Sequence, residues 1–171
     1  IYHELKQKIK ILDINNSNIN RAEQLFNKTN QFNFTTNRYN KNQLINIKNK
    51  PFTTIKLLSL SDKFGEHGII GSFIYIHQKN CIIVSDFLLS CRILSRKIEE
   101  YIIYLIQKKN KSKEVYLRYV KTDKNKELIK IFLENNSFQK VSKKMMDKVK
   151  FKGELYKVLL NKKLINVKKF F

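Results

Sequence analysis

Cysteine, proline and glycine are scarce in this sequence: its 171 residues include two cysteines, one proline and four glycines, and no tryptophan. Cys81 and Cys91 are too few for a disulfide framework, and no pair of cysteines has the C-x-x-C spacing of a zinc site. We therefore expect a reducing compartment, the cytoplasm, and no metal site. Because no Pro/Gly-rich stretch interrupts the chain, we expect a single domain over residues 1–171.

Long apolar runs are also missing. The longest, residues 81–84 and 102–106, are far shorter than the roughly 18 residues that a membrane helix needs. Residues 1–10 alternate apolar and charged side chains and lack the apolar core of a signal peptide. We expect no membrane span. The chain begins with Ile1 rather than Met, which suggests a fragment of a longer protein.

Acidic residues are few compared with basic ones. The sequence has 35 Lys and Arg against 14 Asp and Glu, which gives a formal net charge of +21. Such an excess favours phosphates, acidic proteins or nucleic acid as partners. The basic residues are mostly dispersed lysines, and no nucleic-acid-binding motif is visible, which argues against nucleic acid.

The spacing of apolar residues predicts alternating strands and helices. Residues 81–89 are apolar apart from Asp86, as expected for a central strand buried on both faces. Helical spacing begins near residues 19 and 44 behind Asn-rich capping residues, and Asp123 is expected to cap a later helix. Another helix is predicted from residue 98, with Glu99 and Glu100 at its start. The order is β α α β β β α β α β β, which predicts an α/β fold with a mixed central sheet of about seven strands flanked by about four helices. The predicted strands are residues 7–14, 52–60, 68–77, 81–89, 115–120, 138–141 and 156–160.

Residues 90–98 (SCRILSRKI) connect the predicted central strand to the next helix. A loop at the start of a helix presents unpaired backbone N–H groups at the positive end of the helix dipole, which suits a phosphate. Arg92, Arg96 and Lys97 would strengthen such a site. The alternative is a solvated cationic loop, which is common on a basic chain.

The order of elements and this loop resemble the GNAT N-acetyltransferase fold. Four stretches resemble the C-terminal GNAT-like domain of FkbH-like proteins: residues 21–25 (RAEQL), 28–36 (KTNQFNFTT), 62–71 (DKFGEHGIIG) and 87–96 (FLLSCRILSR). The resemblance implies a domain that binds acyl-CoA or the phosphopantetheine thioester of a carrier protein. It would transfer the acyl group to an amine or hydroxyl.

The family couples this domain to a haloacid-dehalogenase-like (HAD-like) domain that loads a glyceryl unit onto a carrier protein. No DxDxT motif is present here, so we expect the upstream HAD-like domain to be absent from this chain. A second interpretation follows from this context. The chain is then a non-catalytic docking module that holds an acidic acyl carrier protein beside a HAD-like glyceryl-loading domain.

The resemblance also implies which residues bind the cofactor. Ser95, Lys97 and Glu99 stand where GNAT loops carry glycines, and Leu133 stands where a tyrosine would protonate the leaving thiolate. A leucine has no proton to give, so a standard acetyl transfer would need another acid. The implied cofactor-binding residues are Leu89, Ser90, Cys91, Arg92, Ser95, Arg96, Lys97, Ile98 and Asn125.

Three residues are candidates for catalysis. Asp86 is a lone carboxylate in an apolar strand, either a general base with a raised pKa or a carboxylate paired for structural reasons. Cys91 lies beside Arg92 near a helix start, surroundings that favour a nucleophilic thiolate, although a small half-buried residue is the alternative. His67 lies in a turn and either makes a backbone hydrogen bond or overhangs the ligand cleft.

The polar and aromatic residues 28–36 show neither helical nor strand periodicity and predict an ordered loop after the first helix. Such a loop lines the acceptor side of GNAT-like folds, so Gln31, Asn33, Thr35 and Arg38 are the candidate substrate residues. The alternative is a loop held to the body by Phe32 and Phe34. The lysine-rich residues 140–152 and 162–169 are expected to form a solvated face.

Overall fold

The computed structural model describes residues 2–134, 137–142 and 152–171. Its centre is a seven-stranded sheet in the order β1-β2-β3-β4-β5-β7-β6. Neighbouring strands are antiparallel except for the parallel pair β4 and β5, so the predicted mixed sheet is confirmed. The strands are β1 (Lys8–Leu12), β2 (Thr53–Asp62), β3 (Gly65–His77), β4 (Cys81–Leu89), β5 (Glu114–Tyr119), β6 (Phe138–Lys140) and β7 (Glu154–Val158).

Among the described residues, five α-helices accompany the sheet, one more than the sequence predicts. Residues of α1 and α2 share one hydrophobic cluster with the sheet, and residues of α3 and α4 belong to another. The helices therefore cover the sheet in two pairs, as expected for an α/β fold. They are α1 (Ile19–Lys28), α2 (Lys41–Asn49), α3 (Ile98–Lys109), α4 (Lys126–Leu133) and α5 (Lys162–Asn166).

Local sequence signals explain where several helices begin. Asn40 caps α2 in a reciprocal capping box with Gln43, and Pro51 follows soon after its end. The expected cap of α4, Asp123, is displaced: the helix follows Asn125, whose side chain accepts a hydrogen bond from the Thr122 N–H at 2.7 Å. The cap therefore lies two residues later than the charge pattern indicates.

Several predicted boundaries are wrong by a few residues. Residues 7–14 form a strand only over Lys8–Leu12, and Phe52 lies outside β2 in an exposed left-handed conformation. The strand predicted from residue 68 begins earlier, at Gly65, because the β2–β3 hairpin turn is tight. The strand predicted over 156–160 lies at Glu154–Val158.

The lysines of residues 162–169 are exposed, as predicted for a solvated face, but the segment also has a buried side. Leu164 and Val167 are buried, and the ring of the terminal Phe171 stacks on Tyr101 of α3 at 4.0 Å between centroids. These apolar residues attach the lysine-rich segment to α3. Most of the other lysine-rich stretch, residues 143–151, lies outside the described residues.

Candidate functional site

The parallel strands β4 and β5 separate halfway along their length. They are paired from Cys81 and Glu114 to Val84 and Leu117, and beyond that point each continues without the other. A bulge in the β3–β4 pairing lies at the same level of β4, since Tyr75 pairs with Val84 and Ile74 with Asp86. A gap between two strands leaves main-chain N–H and C=O groups that an extended chain can pair with.

Residues 32–34 fill this gap. The Phe34 N–H donates to the Phe87 carbonyl at 2.9 Å, and the Leu89 N–H donates to the Phe32 carbonyl at 3.0 Å. On the other side, the Val120 N–H, just after β5, donates to the Phe34 carbonyl at 2.8 Å. The segment therefore lies between β4 and the end of β5 as a short additional strand.

Asn33 and Asn125 hold the inserted segment through their side chains. The Asn125 amide donates to the carbonyls of Asn33 at 2.8 Å and Val120 at 3.0 Å, and Asn125 is fully buried. The Asn33 amide donates to the Thr29 carbonyl at 3.1 Å, and its oxygen accepts from the N–H groups of Thr35 and Thr36. Asn125, predicted to contact the cofactor, thus contacts the chain itself.

Asp86 is buried and accepts hydrogen bonds on both carboxylate oxygens. Thr35 donates at 2.6 Å and Asn37 at 2.8 Å to Oδ1, while Ser85 at 3.1 Å and Tyr39 at 3.3 Å donate to Oδ2. Burial raises the pKa of Asp86, and the hydrogen bonds from Thr35, Asn37 and Ser85 oppose the rise. The carboxylate fastens residues 35–39 to β4, and its role as a general base stays a prediction.

The loop of residues 90–98 has an unusual backbone conformation. After a short 3-10 turn at Cys91–Ile93, Ser95 and Lys97 both adopt left-handed conformations with φ of 66°. A side chain in this region costs about 1–2 kcal/mol relative to a right-handed conformation. The loop thus keeps two glycine-like conformations although neither residue is glycine, and α3 begins directly afterwards at Ile98.

Arg96 and His67 meet on one carboxylate. Asp62, whose side chain is fully buried, accepts on Oδ2 from the Arg96 guanidinium at 2.9 Å and lies 2.7 Å from His67 Nε2. Its Oδ1 accepts from the Phe64 N–H at 2.8 Å. Burial raises the pKa of Asp62, but these three hydrogen bonds outweigh it and hold the pKa below its usual value. Asp62 therefore links the β2–β3 hairpin to the 90–98 loop.

A groove of about 350 Å³ runs between the 90–98 loop and α4, with Phe32 at its base. Glu99 also borders it. Burial and the neighbouring charge of Glu100 raise the pKa of Glu99 to about 7, against the opposing effect of the Ser95 N–H. We call this space the outer groove; its defining residues are Leu94, Ser95, Lys97, Leu128, Ile131 and Lys163.

The structure does not gather the predicted catalytic residues into one cluster. Cys91 is exposed, His67 is bound to Asp62, and Asp86 is enclosed by residues 35–39; among the described residues no hydrogen bond joins any two of the three. Their catalytic roles stay predictions. Within the described residues, no group of three or more His, Cys, Asp or Glu side chains could hold a metal ion.

The predicted substrate residues have different surroundings. Asn33 and Thr35 are buried and bonded internally, whereas Gln31 is exposed. Arg38 donates to the carbonyls of Phe26 and Thr29 and to the Asn30 side chain. Their substrate roles stay predictions, and the structure gives Asn33, Thr35 and Arg38 a part in holding the loop.

Three residues that take part in these contacts, Asp62, Asn37 and Tyr39, are not among the predicted site residues. Asp62 is the first residue of the stretch 62–71, whose resemblance to FkbH-like proteins stays a prediction, and no other feature of the sequence singles Asp62 out. Asn37 and Tyr39 follow the distinctive residues 28–36 directly, but neither has a pattern of its own.

No family model matches the chain, and no curated protein matches it in sequence. Solved structures do match. A GNAT acetyltransferase from Staphylococcus aureus Mu50 is 17% identical with a TM-score of 0.62, and the match covers 90% of this chain and 100% of that one. A domain from Methanocaldococcus jannaschii is 15% identical with a TM-score of 0.64, covering 91% and 100%. The PaiA N-acetyltransferase of Thermoplasma acidophilum, solved with coenzyme A, is 11% identical with a TM-score of 0.58, covering 90% and 99%.

These matches extend over nearly the whole chain, and they show its fold. The mixed seven-stranded sheet with its flanking helices matches the fold of these N-acetyltransferase structures. The predicted GNAT-like architecture is therefore confirmed. No helix among the described residues is long and apolar enough to cross a membrane.

Proposed function

We propose that the chain binds the phosphopantetheine thioester of acyl-CoA or of a carrier protein at the 90–98 loop and transfers the acyl group to an amine or hydroxyl. The observation that carries the proposal is the left-handed pair Ser95 and Lys97 directly before α3. Strained conformations persist where the surrounding structure holds them, and they concentrate at binding sites. The coenzyme A complexes of the neighbouring structures support the same ligand class.

The loop suits the phosphate end of such a ligand. The first N–H groups of α3 have no main-chain partner within the helix, although the Glu99 N–H bonds its own carboxyl group. Arg92 and Lys97 bring positive charge to the same loop, and Lys97 also pairs with Glu100 at 3.2 Å. Ser90, Cys91, Arg92, Ser95, Arg96, Lys97 and Ile98 remain the proposed contacts, whereas the predicted contact Leu89 is fully buried and its N–H is bonded to the Phe32 carbonyl. Arg96 would act less directly, because its guanidinium is already bound to Asp62.

The gap between β4 and β5 does not suit the pantetheine arm, because residues 32–34 use the main-chain groups that an arm would need. Near the outer groove, Glu99 has a pKa of about 7, so its carboxyl can accept or donate a proton at neutral pH. It is a proposed proton-transfer residue in place of the tyrosine that Leu133 replaces.

Calorimetric titration with acetyl-CoA at low and high salt tests the proposal. Arg92→Ala/Lys97→Ala removes two loop cations, and we expect it to weaken binding about tenfold, as for the loss of charge-assisted contacts. Lys108→Ala/Lys109→Ala removes the same charge at the other end of α3 and should change affinity by less than about twofold. Absence of saturable binding, or equal losses in the two variants, would contradict the proposal.

A second function is favoured by the filled gap: a non-catalytic docking module for an acidic acyl carrier protein. Its context would be a HAD-like glyceryl-loading domain in the same polypeptide, with residues 1–171 as a single GNAT-like domain. The net charge of +21 suits such a partner. Binding through exposed charges should fall steeply with salt, because they are screened within about 8 Å at physiological ionic strength. Carrier binding that survives high salt would argue against this function.

A further inference from the structure

Residues 32–34 and an extended ligand would need the same main-chain groups. The Phe87 carbonyl and the Leu89 N–H on β4 are already bound to Phe34 and Phe32. The Val120 N–H on the opposite side is bound to Phe34 as well. A ligand arm can therefore pair with β4 only if the segment leaves.

The side chains of the segment belong to the hydrophobic core. Phe34 is 1% exposed, and its ring centroid lies 5.7 Å from that of Phe87, 6.2 Å from Tyr119 and 5.9 Å from Phe132. Phe32 is equally enclosed, with its centroid 5.5 Å from those of Phe87 and Phe132. Withdrawing the segment would expose two phenyl rings and break three main-chain hydrogen bonds.

Two buried polar anchors hold the ends of the segment. Asn125 donates to the Asn33 carbonyl at 2.8 Å, and Thr35 donates to Asp86 at 2.6 Å. Displacing the segment would take one hydrogen bond from each of these buried groups, leaving the Asn125 amide with the Val120 carbonyl and the Asp86 carboxylate with Ser85, and the loss of a buried hydrogen bond is costly in a protein interior. Residues 32–34 are therefore held by main-chain, side-chain and apolar contacts at once.

The outer groove is the open space that remains beside the filled gap. Ile131 is 67% exposed and borders it together with Leu94 and Leu128. Lys97 and Lys163 supply positive charge, and the carboxyl groups of Glu99 and Glu100 line the same groove, with Glu100 paired to Lys97 at 3.2 Å. An extended arm with amide and methyl groups and a phosphate at one end has the matching chemistry. The phosphopantetheine arm of a carrier protein and the arm of free CoA both have these groups.

We propose that residues 32–34 are a built-in strand that permanently occupies the gap between β4 and β5, so that a phosphopantetheine arm lies in the outer groove rather than against β4. The identity of the ligand rests on the proposed function. The occupancy of the gap does not, because it follows from contacts within the chain.

Hydrogen exchange tests the built-in strand. In the free chain, the amides of Phe34, Leu89 and Val120 should exchange as slowly as those of the β3–β4 pairing, and millimolar acetyl-CoA should leave them slow. Fast exchange in the free chain, or a loss of protection at these three amides on adding acetyl-CoA, would overturn the inference while leaving the proposed function standing. Slow exchange without any calorimetric binding would uphold the built-in strand and remove the proposed function.

The placement of the arm is tested with an exposed isoleucine. Ile131→Ser should weaken acetyl-CoA binding about fivefold, by loss of apolar contact, without affecting binding of the nucleotide half, adenosine 3′-phosphate 5′-diphosphate. Ile45→Ser, at another exposed position, on α2, should leave both affinities unchanged. Equal acetyl-CoA affinity in the Ile131 variant and the unaltered chain would place the arm elsewhere.

Discussion

Truncation of Phe34 should reveal how firmly the inserted segment is built into the protein. Its ring is buried among four other aromatic rings, whereas Phe64, at the tip of the β2–β3 hairpin, is 77% exposed. Truncating a fully buried phenylalanine costs about 3–5 kcal/mol, from lost burial and the cavity left behind. We expect Phe34→Ala to lower the free energy of unfolding by that amount. Phe64→Ala should change it by less than about 0.5 kcal/mol.

Urea unfolding followed by circular dichroism gives both values from the transition midpoints and their slopes. Phe34→Leu, which keeps most of the volume, should cost less than about 1.5 kcal/mol and serves as the variant that still folds. If the segment were a displaceable loop, its ring would contribute little to the folded state. A loss of less than about 1 kcal/mol in Phe34→Ala would therefore refute the reasoning.

Three further predictions concern strain, pH and packing. Ser95→Gly should stabilise the chain by about 0.5–1 kcal/mol in urea unfolding, since relief of the left-handed strain exceeds the entropy cost of glycine; a loss of stability would contradict it. The pKa of Glu99 is raised from 4.5 to about 7 in the folded state, so the folded state holds this proton more tightly than the unfolded state does. The stability that the protonated carboxyl contributes is therefore fully present below pH 4.5 and is lost as the pH rises to about 7. Glu99→Gln should therefore match the unaltered chain at pH 4.5 and exceed its stability by about 3 kcal/mol at pH 8. The surface control Glu127→Gln, at an exposed position of α4, should change the stability by less than about 0.5 kcal/mol at either pH. Gly71→Ala should cost about 1–3 kcal/mol in thermal unfolding, because its Cβ would lie 2.6 Å from a main-chain oxygen of β4; an unchanged melting temperature would contradict it.

The sheet and its order could be predicted because their signals are local. The apolar run 81–89 predicts the central strand β4, and the capping residues before α2 predict where that helix begins. The position of the 90–98 loop followed from these two kinds of element. Its left-handed residues could not be predicted, since Ser95 and Lys97 have no intrinsic preference for that conformation.

The filled gap could not be predicted because it depends on distant partners. Residues 32–34 pair with Phe87 and Leu89 of β4 and with Val120, far along the chain, and three residues are too few to show strand periodicity. Of the two interpretations of residues 28–36, a loop held to the body by Phe32 and Phe34 agrees better with the structure, in which both rings are buried. Similarly, Leu164 and Val167 are buried although lysines surround them in sequence.

A crystal structure of the chain with coenzyme A would test the central claim most directly. The account predicts the diphosphate at the loop of Ser95 and Lys97, the arm in the outer groove, and the Phe34 N–H still bonded to the Phe87 carbonyl. A pantetheine arm lying between β4 and β5, with residues 32–34 displaced, would contradict it.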